Sequence, residues 1–332
     1  MPELRKDPIV GRWVIISKER GKRPSDFCVE RAVSRGGFCP FCPGNEHTTP
    51  PEVMAYGRDG GRPDTSGWTL RVTPNKFPAL VIEGNLDKQG EGLYDKMSGI
   101  GAHEVIIESP THNDTLATVS VKKFAEILQS YRDRLIDLSR DMRFKYILVF
   151  KNFGEKAGAS LEHTHSQLIA LPVLPELVVE ELSGAREYFR YKERCVFCDI
   201  VRQELLQGTR IVGENQHFIA ATPYAPRSPF ETWILPKRHV TSYVDMWPDE
   251  YWSLAELFSE TMRRLDKALC GCAYNFVLHT SPLRDRELEY YHWHFEIMPK
   301  LTLIAGFEWG SGFFINPTPP EDAAKYLREV QL

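Results

Sequence analysis

Apolar residues in the first half of the chain alternate between short runs and a helical spacing. Residues 105–107 and 146–150 are apolar runs with the length and β-branched content of strands. Residues 120–142 instead carry apolar positions three or four apart, as in a helix with one buried face: Val121, Phe124, Leu128, Tyr131 and Leu135. A loop rich in Gly and Ala leads to His163-Thr164-His165. The pattern predicts a strand, a helix, a second strand and a strand that carries histidines.

The second half repeats this order. Residues 232–235 and 274–278 have the composition of strands, and residues 249–269 have the spacing of a helix. A charged loop then leads to His292-Trp293-His294. The same succession of elements is therefore predicted twice along the chain.

An isolated histidine precedes each histidine pair at nearly the same distance. His112 lies 51 residues before His163, and His239 lies 53 residues before His292. Matched order and spacing indicate a duplication. Residues i and i+2 of a strand point to the same face, so each pair can commit one imidazole to a structural partner and leave the other for chemistry.

Strands joined to helices and returning hairpins predict an α+β fold, with a mostly antiparallel sheet and packed helices in each half. The join falls near residues 171–194, where a proline-rich turn is followed by a charged stretch with helical character. We assign residues 1–175 to an N-terminal domain and residues 176–332 to a C-terminal domain.

Composition narrows the kinds of partner. The 332 residues are 42% hydrophobic and 26% charged, with a net charge of −4, which is typical of a globular protein. This charge gives no electrostatic reason to expect nucleic acid or an anionic membrane as a partner. The chain has no apolar run of membrane-spanning length, and its start lacks the apolar core of a secretory signal. We therefore expect a cytoplasmic protein.

Each half offers two thiols and two imidazoles, a donor set that suits a structural, tetrahedral zinc site with no open position. The two sets are Cys39, Cys42, His112 and His163, then Cys195, Cys198, His239 and His292. We expect two zinc ions per chain, with iron as the alternative at the second site. A redox dithiol is the competing interpretation, but no thioredoxin-like βαβ pattern surrounds the first pair of cysteines.

His165 is the candidate nucleophile. If a metal holds His163, His165 projects from the same face of a fixed strand. The small residues Gly158-Ala159-Ser160 would let backbone N–H groups approach a phosphate, and Gln167 can donate an amide hydrogen to it. We expect Ser160 and Gln167 to be catalytic residues that stabilise charge on the phosphates. A neutral imidazole is a competent nucleophile toward phosphorus near pH 7. The hypothesis requires the side chain of His165 to face a cavity.

The second half differs at the positions that matter for this chemistry. Glu296 stands where the first half has Gln167, and a carboxylate there would repel a phosphate. The loop before His292 is charged instead of small. We therefore expect one catalytic half and one supporting half.

These motifs resemble the galactose-1-phosphate uridylyltransferase family of the histidine-triad superfamily, over nearly the whole chain. Gln167 stands where triad hydrolases have a third histidine, which marks the transferase branch. The resemblance implies two tandem histidine-triad-like domains, of which residues 1–175 are catalytic and residues 176–332 supporting. It places the nucleophile of the family at His165, and its first metal site on Cys39, Cys42, His112 and His163.

The resemblance also implies contacts with phosphates, nucleoside and hexose, carried over from matching segments: Arg20, Arg23, Asn75, Asn152, Gly158, Phe307 and Glu308. The chain departs from the best-known members in reading His-Thr-His-Ser-Gln, where they have proline after the first histidine and proline or glycine after the second. Residues 306–317 resemble plant relatives that act as phosphorylases on ADP-glucose.

The activity implied is a ping-pong transfer of UMP from UDP-glucose to galactose 1-phosphate, through a uridylyl-histidine. The alternative is an ADP-glucose phosphorylase, which uses the same histidine and inorganic phosphate as the acceptor. A third hypothesis, a non-catalytic zinc-ribbon binding module, is disfavoured because such modules usually display a basic surface. The expected partners are a nucleotide sugar, a sugar 1-phosphate or phosphate, and a second copy of the chain in a homodimer.

Overall fold

The computed structural model describes residues 1–18, 27, 36–58 and 60–332. The strands within them are β1 Glu3–Lys6, β2 Trp13–Ile16, β3 Met54–Tyr56, β4 Leu70–Pro74, β5 Gln89–Glu91, β6 Tyr94–Lys96, β7 Ala102–Ile107, β8 Tyr146–Phe153, β9 His165–Leu171, β10 Ile211–Glu214, β11 Phe218–Ala221, β12 Thr232–Pro236, β13 Tyr274–His279, β14 His294–Pro299 and β15 Phe314–Asn316. The helices are α1 Val121–Leu138, α2 Glu176–Lys192, α3 Val196–Gln207, α4 Pro248–Ala268, α5 Gly306–Ser311 and α6 Pro320–Glu329.

Ten strands form one sheet that runs through both halves. Its order is β10-β11-β12-β14-β13-β8-β9-β7-β4-β3, and all neighbouring strands are antiparallel. The predicted α+β class with a mostly antiparallel sheet is confirmed. The five strands of the second half lie in the reverse order of their counterparts, so an approximate two-fold axis passes through the β8–β13 pair. There Phe150 lies opposite Val277, its own counterpart.

One face of the sheet is covered by α1 and α4. The hydroxyl of Ser120 accepts a hydrogen bond from the Lys123 N–H and caps the start of α1. The apolar positions predicted for this helix are buried, apart from the half-buried Val121, and the rings of Phe124 and Phe258 join α1 to α4 at 5.0 Å. The shared core makes the two halves one packed body on this face.

The opposite face is covered differently in the two halves. In residues 176–332, called the supporting half after its expected role, Val178 and Leu182 of α2 pack in one cluster with Trp233 and Leu235 of β12. In residues 1–175, called the catalytic half in the same way, the cluster on this face is small and contains Phe41, Val105 and a thiol of the first cysteine pair. His294, the counterpart of His165, is fully buried, and Glu181 of α2 lies 3.3 Å from it.

The N-terminal strands β1 and β2 form a small sheet with β15, which runs parallel to β2. Near it, Arg5 pairs with Glu321 at the start of α6, so the two ends of the chain are joined. None of the helices described here has the length and apolar content needed to cross a membrane.

Candidate active site

The first cysteine–histidine set is assembled at the start of β9. The four donor atoms of Cys39, Cys42, His112 and His163 lie within 4.8 Å of one another. Nδ1 of His163 lies 3.6 Å from the Sγ atoms of both cysteines, and Nδ1 of His112 lies 3.3 Å from Sγ of Cys42. Two sulfurs and two nitrogens bonded to one tetrahedral zinc ion would lie about 3.5 Å apart along a sulfur–nitrogen edge. The residues therefore fit the ion predicted from the sequence.

The orientation of His163 also suits a metal ligand. Its Nε2 lies 2.7 Å from the carbonyl oxygen of Ser109 and donates a hydrogen to it. Nδ1 is then unprotonated and directs its lone pair at the thiols. Metal-binding histidines usually have such a second hydrogen bond, which fixes both the tautomer and the ring.

The second set repeats this geometry in the supporting half. Nδ1 of His239 and Nδ1 of His292 lie 3.3 Å and 3.7 Å from Sγ of Cys198. Nε2 of His292 donates to the carbonyl of Pro236 at 2.9 Å, as His163 does to Ser109. With Cys195, the donor atoms again lie within 4.8 Å of one another. This set also fits a tetrahedral metal ion.

His165 is the first residue of β9 and lies beside the first metal set. Its Nδ1 donates to the carbonyl of His163 at 2.8 Å, and no described residue forms a hydrogen bond with Nε2. Burial lowers the pKa of His165 to about 4, and the Lys151 ammonium acts in the same direction. The ring is therefore neutral at pH 7, with the lone pair on Nε2, which is the state a nucleophile needs.

The accessibility of His165 differs from the expectation. The residue is 6% exposed, and the ring of Phe41 packs edge-on against it at 5.3 Å. The histidine is thus less open than the hypothesis required. Its candidacy rests on the hydrogen bonding of the two ring nitrogens.

Gln167 is oriented by His103, a residue that the sequence did not single out. The backbone N–H of Ala79 donates to Nδ1 of His103 at 3.1 Å, so the hydrogen of the neutral ring lies on Nε2. That Nε2 lies 2.9 Å from Oε1 of Gln167 and donates to it. Because the amide oxygen is held, the amide NH2 of Gln167 is left to donate to a ligand. Nδ2 of Asn75 lies 3.2 Å from the same Nε2. Both nitrogens carry hydrogens in this arrangement, so the contact is not a hydrogen bond, but it places Asn75 beside the site.

Asn152 is oriented in a similar way by the supporting half. Asn275 lies opposite it in the β8–β13 pair, and Nδ2 of Asn275 donates to Oδ1 of Asn152 at 2.8 Å. The NH2 end of Asn152 faces the glycine loop (residues 154–160), 3.9 Å from where a Cβ on Gly158 would stand. The signal that identifies Asn275 is strand register, which the sequence alone does not reveal.

The glycine loop corrects one prediction. The N–H of Gly158 donates to the carbonyl of Glu155, and the N–H of Ala159 donates to that of Gly154. These two N–H groups stabilise the loop itself, so the geometry does not support their predicted use for phosphate. The Ser160 side chain is exposed beside them. Gly154 has a φ of +82°, and a Cβ there would lie 2.9 Å from the Cβ of Ala273, so the loop meets the supporting half closely only with glycine.

The counterpart of the candidate nucleophile, His294, lies in a closed polar cluster that the sequence did not reveal. The rings of His279 and His294 stack at 4.7 Å, and Glu181 of α2 lies 3.2 Å from Nδ1 of the first and 3.3 Å from Nε2 of the second. Glu296 lies 3.5 Å from Nε2 of His279 and pairs with Arg227. Burial opposes protonation of His279, but the two carboxylates outweigh it and raise its pKa to about 10.

This closed cluster is a third group that could hold a metal ion. Donor atoms of Glu181, His279 and His294 lie within 4.8 Å of one another. Nε2 of His294 is fully buried and lies 3.3 Å from an oxygen of Glu181, but it forms no hydrogen bond with any described residue. A buried nitrogen without a hydrogen-bond partner can act as a metal ligand, but His279 would first have to lose the proton that the two carboxylates stabilise.

Two of the predicted substrate-contacting residues are not described by the structure, and two others lie apart from this site. Arg20 and Arg23 lie outside the described residues. Phe307 and Glu308 lie on α5, whose start is capped by the Glu308 carboxylate, and no described contact joins them to His165. The structure of one chain therefore brings together His165, Gln167, Asn75 and Asn152, with Gly158 and Ser160 nearby, but not the predicted hexose contacts.

The fold and this site define a class of protein: a nucleotidyltransferase with a duplicated antiparallel sheet and two cysteine–histidine sets. Residues 1–175 match the family model "Galactose-1-phosphate uridyl transferase, N-terminal domain", and residues 181–313 match the model of the C-terminal domain. The chain belongs to the galactose-1-phosphate uridylyltransferase family.

Individual relatives span the whole chain. An ADP-glucose phosphorylase of Arabidopsis thaliana is 38% identical, over 100% of this chain and 93% of its own length. A galactose-1-phosphate uridylyltransferase of Thermotoga maritima is 30% identical, over 100% of this chain and 99% of its own. The crystal structure of an Arabidopsis ADP-glucose phosphorylase with bound ADP-glucose superposes with a TM-score of 0.85 at 37% identity, covering 100% of both chains.

Proposed function

We propose that this protein transfers a nucleotidyl group from a nucleotide sugar through a covalent bond to Nε2 of His165. The observation that carries the proposal is the hydrogen bonding of that ring. Nδ1 donates to the carbonyl of His163, and Nε2 has no hydrogen-bond partner among the described residues. The ring is neutral because burial lowers its pKa to about 4.

In the first half-reaction, the lone pair of Nε2 attacks the α-phosphorus of the nucleotide sugar. The bond between that phosphorus and the bridging oxygen breaks, and sugar 1-phosphate leaves with the electron pair. The hydrogen on Nδ1 stays in place, and the positive charge that develops on the ring is stabilised by the carbonyl of His163. The leaving group is a phosphate ester, so no strong general acid is needed.

In the second half-reaction, an oxygen of an acceptor phosphate attacks the same phosphorus, and the bond to Nε2 breaks. The amide NH2 groups of Gln167 and Asn152 are positioned to donate to the non-bridging oxygens throughout, because His103 and Asn275 hold the opposite ends of the two amides. Donors fixed before the reaction are a large source of rate enhancement.

A zinc ion on Cys39, Cys42, His112 and His163 would have a structural role. It would fix the residue immediately before the catalytic strand and, with it, the carbonyl that accepts from His165. All four donors are supplied by the protein, which leaves no coordination position for substrate.

For the finer activity, we propose an ADP-glucose phosphorylase, in which inorganic phosphate takes the adenylyl group. This choice is supported by the higher identity with the Arabidopsis ADP-glucose phosphorylase than with the Thermotoga uridylyltransferase. The second candidate is transfer of UMP from UDP-glucose to galactose 1-phosphate, which the sequence motifs favoured. Both use the same histidine, so only the base and the acceptor differ.

The test is covalent labelling with nucleotide sugars radiolabelled at the α-phosphate. We expect ADP-glucose to leave an acid-labile label on the wild-type protein, and phosphate to release it as ADP. UDP-glucose followed by galactose 1-phosphate tests the uridylyl alternative in parallel. The variant His165→Ala should take up no label.

A matched control is His217→Ala, which removes a histidine on the far edge of the supporting half. His217 lies 3.9 Å from Asp249, and no described contact joins it to the residues of the site. It should label like the wild type. Equal labelling of His165→Ala and wild type would show that another group carries the nucleotide, and no label on the wild type would leave the zinc-ribbon module as the better hypothesis.

We also propose a homodimer. In one chain α5 carries Phe307, which is 48% exposed, and has no described contact with His165. The hexose contact predicted for Phe307 and Glu308 would therefore have to be made to a second copy. Light scattering should give twice the chain mass of 38.2 kDa, and a monomer at working concentration would contradict the proposal.

A further inference from the structure

A buried polar network lies beneath the catalytic strand, on the face of the sheet opposite to His165. We propose that this network positions His165 for attack; the inference rests on the proposed function. We call it the anchoring network, and its members are Glu108, Tyr131, Lys151, Thr164 and Ser166.

Lys151 is the centre of the anchoring network. Its ammonium donates to Glu108 at 2.6 Å, to the hydroxyl of Thr164 at 3.0 Å, and to the backbone carbonyl of His165 at 2.8 Å. All three hydrogens of the ammonium are thus used, and one of them holds the backbone of the candidate nucleophile directly. Lys151 and Glu108 are 1% and 0% exposed.

Glu108 joins the residues on either side of His165. It accepts hydrogen bonds from the hydroxyls of Thr164 and Ser166. Ser166 gives its only hydroxyl hydrogen to Glu108, so it accepts in its contact with the hydroxyl of Tyr131 in α1, at 2.6 Å; the same Tyr131 hydroxyl also lies 3.3 Å from Glu108. His165 is therefore anchored through both sequence neighbours and through its own carbonyl.

The supporting half shows what this fold requires at the same positions. Strand register makes Leu278 the counterpart of Lys151, and Trp293 and Phe295 the counterparts of Thr164 and Ser166. Phe258 of α4 contacts Phe295 at 5.0 Å, as Tyr131 contacts Ser166. All four counterparts are buried and apolar.

Glu108 has no counterpart at all. Register aligns Ile107 with Leu235, because each lies one residue beyond the pair formed with Ser166 or with Phe295. Ser109 and Pro236, by contrast, supply the carbonyls that accept from the metal-site histidines. The catalytic half therefore has one extra residue at this point, and that residue is the carboxylate of the anchoring network.

A buried ion pair is weak evidence of a stabilising role, because removing two charges from water offsets much of their attraction. Apolar side chains occupy the same places in the other half of this molecule. The network differs from these apolar side chains because its interactions are directional. Hydrogen bonds fix the rotation and height of a strand, whereas apolar packing is non-directional. Such control is needed where Nε2 must approach phosphorus in line.

The experiment compares Thr164→Val with Thr164→Ser. Valine keeps the shape of the side chain and loses the hydroxyl, whereas serine keeps the hydroxyl. We expect Thr164→Val to lower the single-turnover labelling rate at saturating nucleotide sugar about tenfold or more, with KM changed less than about threefold. Thr164→Ser should restore most of the rate.

Thr261→Val is the matched control for loss of a buried hydroxyl. Thr261 lies in α4, is 1% exposed and donates to the carbonyl of Leu257. We expect it to alter thermal stability but not the labelling rate. The pair Glu108→Gln with Lys151→Met, which removes both charges at similar volume, should lower the rate further without a matching loss of thermal stability.

The outcomes separate the two hypotheses. If His165→Ala takes no label while Thr164→Val labels at the wild-type rate, the anchoring network is structural and this inference fails alone. If Thr164→Val and Thr164→Ser lose the same rate, the hydroxyl is not responsible, which also overturns it. If His165→Ala takes up label normally, the proposed function fails first.

Discussion

The two halves of this chain place different chemistry on the same sheet positions. In the catalytic half, Asn152, His165 and Gln167 share one face, and no described residue engages the NH2 end of either amide. In the supporting half, His279, His294 and Glu296 occupy those positions. His279 pairs with Glu181 of α2 and with Glu296, Glu296 pairs with Arg227, and His294 stacks on His279 beside Glu181. A histidine in this fold becomes a candidate nucleophile only where its neighbours are neutral donors and no helix closes over it.

The opposite face of the sheet also differs between the two halves. Beneath the catalytic strand lie charged and hydroxyl side chains, and beneath its counterpart lie Leu278, Trp293 and Phe295. The catalytic half therefore has polar side chains on both faces of the sheet, with the candidate site on one face and the anchoring network on the other. The supporting half has paired charged side chains on the first face and apolar side chains on the second.

The most severe of the tests is Gln167→Glu, which gives the catalytic half the residue that the supporting half has at the matching position. The carboxylate would lie where an amide now donates, and it would repel the incoming phosphates. We expect kcat/KM to fall about 100- to 1000-fold, as for the loss of a transition-state donor. Steady-state kinetics measure this.

Gln167→Ala separates the two causes of that loss, because it removes the donor without adding a charge. We expect kcat/KM to fall less in Gln167→Ala than in Gln167→Glu. An equal loss of kcat/KM in both variants would show that electrostatic repulsion has no part. Glu296 would then not by itself explain why we expect the supporting half to be inactive.

The two metal sets offer a second test. Cys42→Ser should lower bound zinc by about one ion per chain and slow labelling by about 100-fold, because the carbonyl that holds His165 would shift. Cys198→Ser should also lose about one metal ion, yet keep labelling within about threefold at temperatures where it remains folded. Elemental analysis and thermal unfolding accompany the rates.

If Cys198→Ser abolished labelling in a folded protein, the supporting half would have to be regarded as part of the catalytic machinery. If neither variant lost metal, the donor geometry would have been misassigned. The first result would contradict the division into a catalytic and a supporting half, and the second would contradict the two assigned metal sets.

The smallest effect is expected for His103→Ala, which frees the oxygen end of Gln167 without removing its amide. The amide can then adopt either orientation, and we expect a loss of about tenfold in kcat, or about 1.4 kcal/mol. In a Gln167→Ala background the same substitution should have no further effect. A double-mutant cycle measures this coupling, and additive losses would mean that His103 acts independently of Gln167.

Local patterns predicted the elements and the metal sets well. The strands of 105–107 and 274–278, and the helix of 120–142, follow from the spacing of apolar residues, which depends only on neighbours in sequence. The cysteine–histidine sets were found because they occur as a repeated motif, and the structure brings both together.

The residues missed by the sequence depend on register between distant strands. His103 reaches Gln167 because β7 lies beside β9, and Asn275 reaches Asn152 because β13 lies beside β8. Glu181 enters through a helix that folds back over the sheet. None of these pairings leaves a local signal, and neither does the internal hydrogen bonding that occupies the N–H groups of the glycine loop.

The pairing of β8 with β13 limits where this chain could be cut into fragments. A fragment ending at residue 175 would keep every thiol and imidazole of the first metal set and His165 itself, but β8 would become an open sheet edge. Its unpaired backbone would invite pairing with a second fragment, and Asn152 would lose the amide that orients it. Cutting the polypeptide at its internal boundary would therefore yield an aggregation-prone piece, not a minimal enzyme.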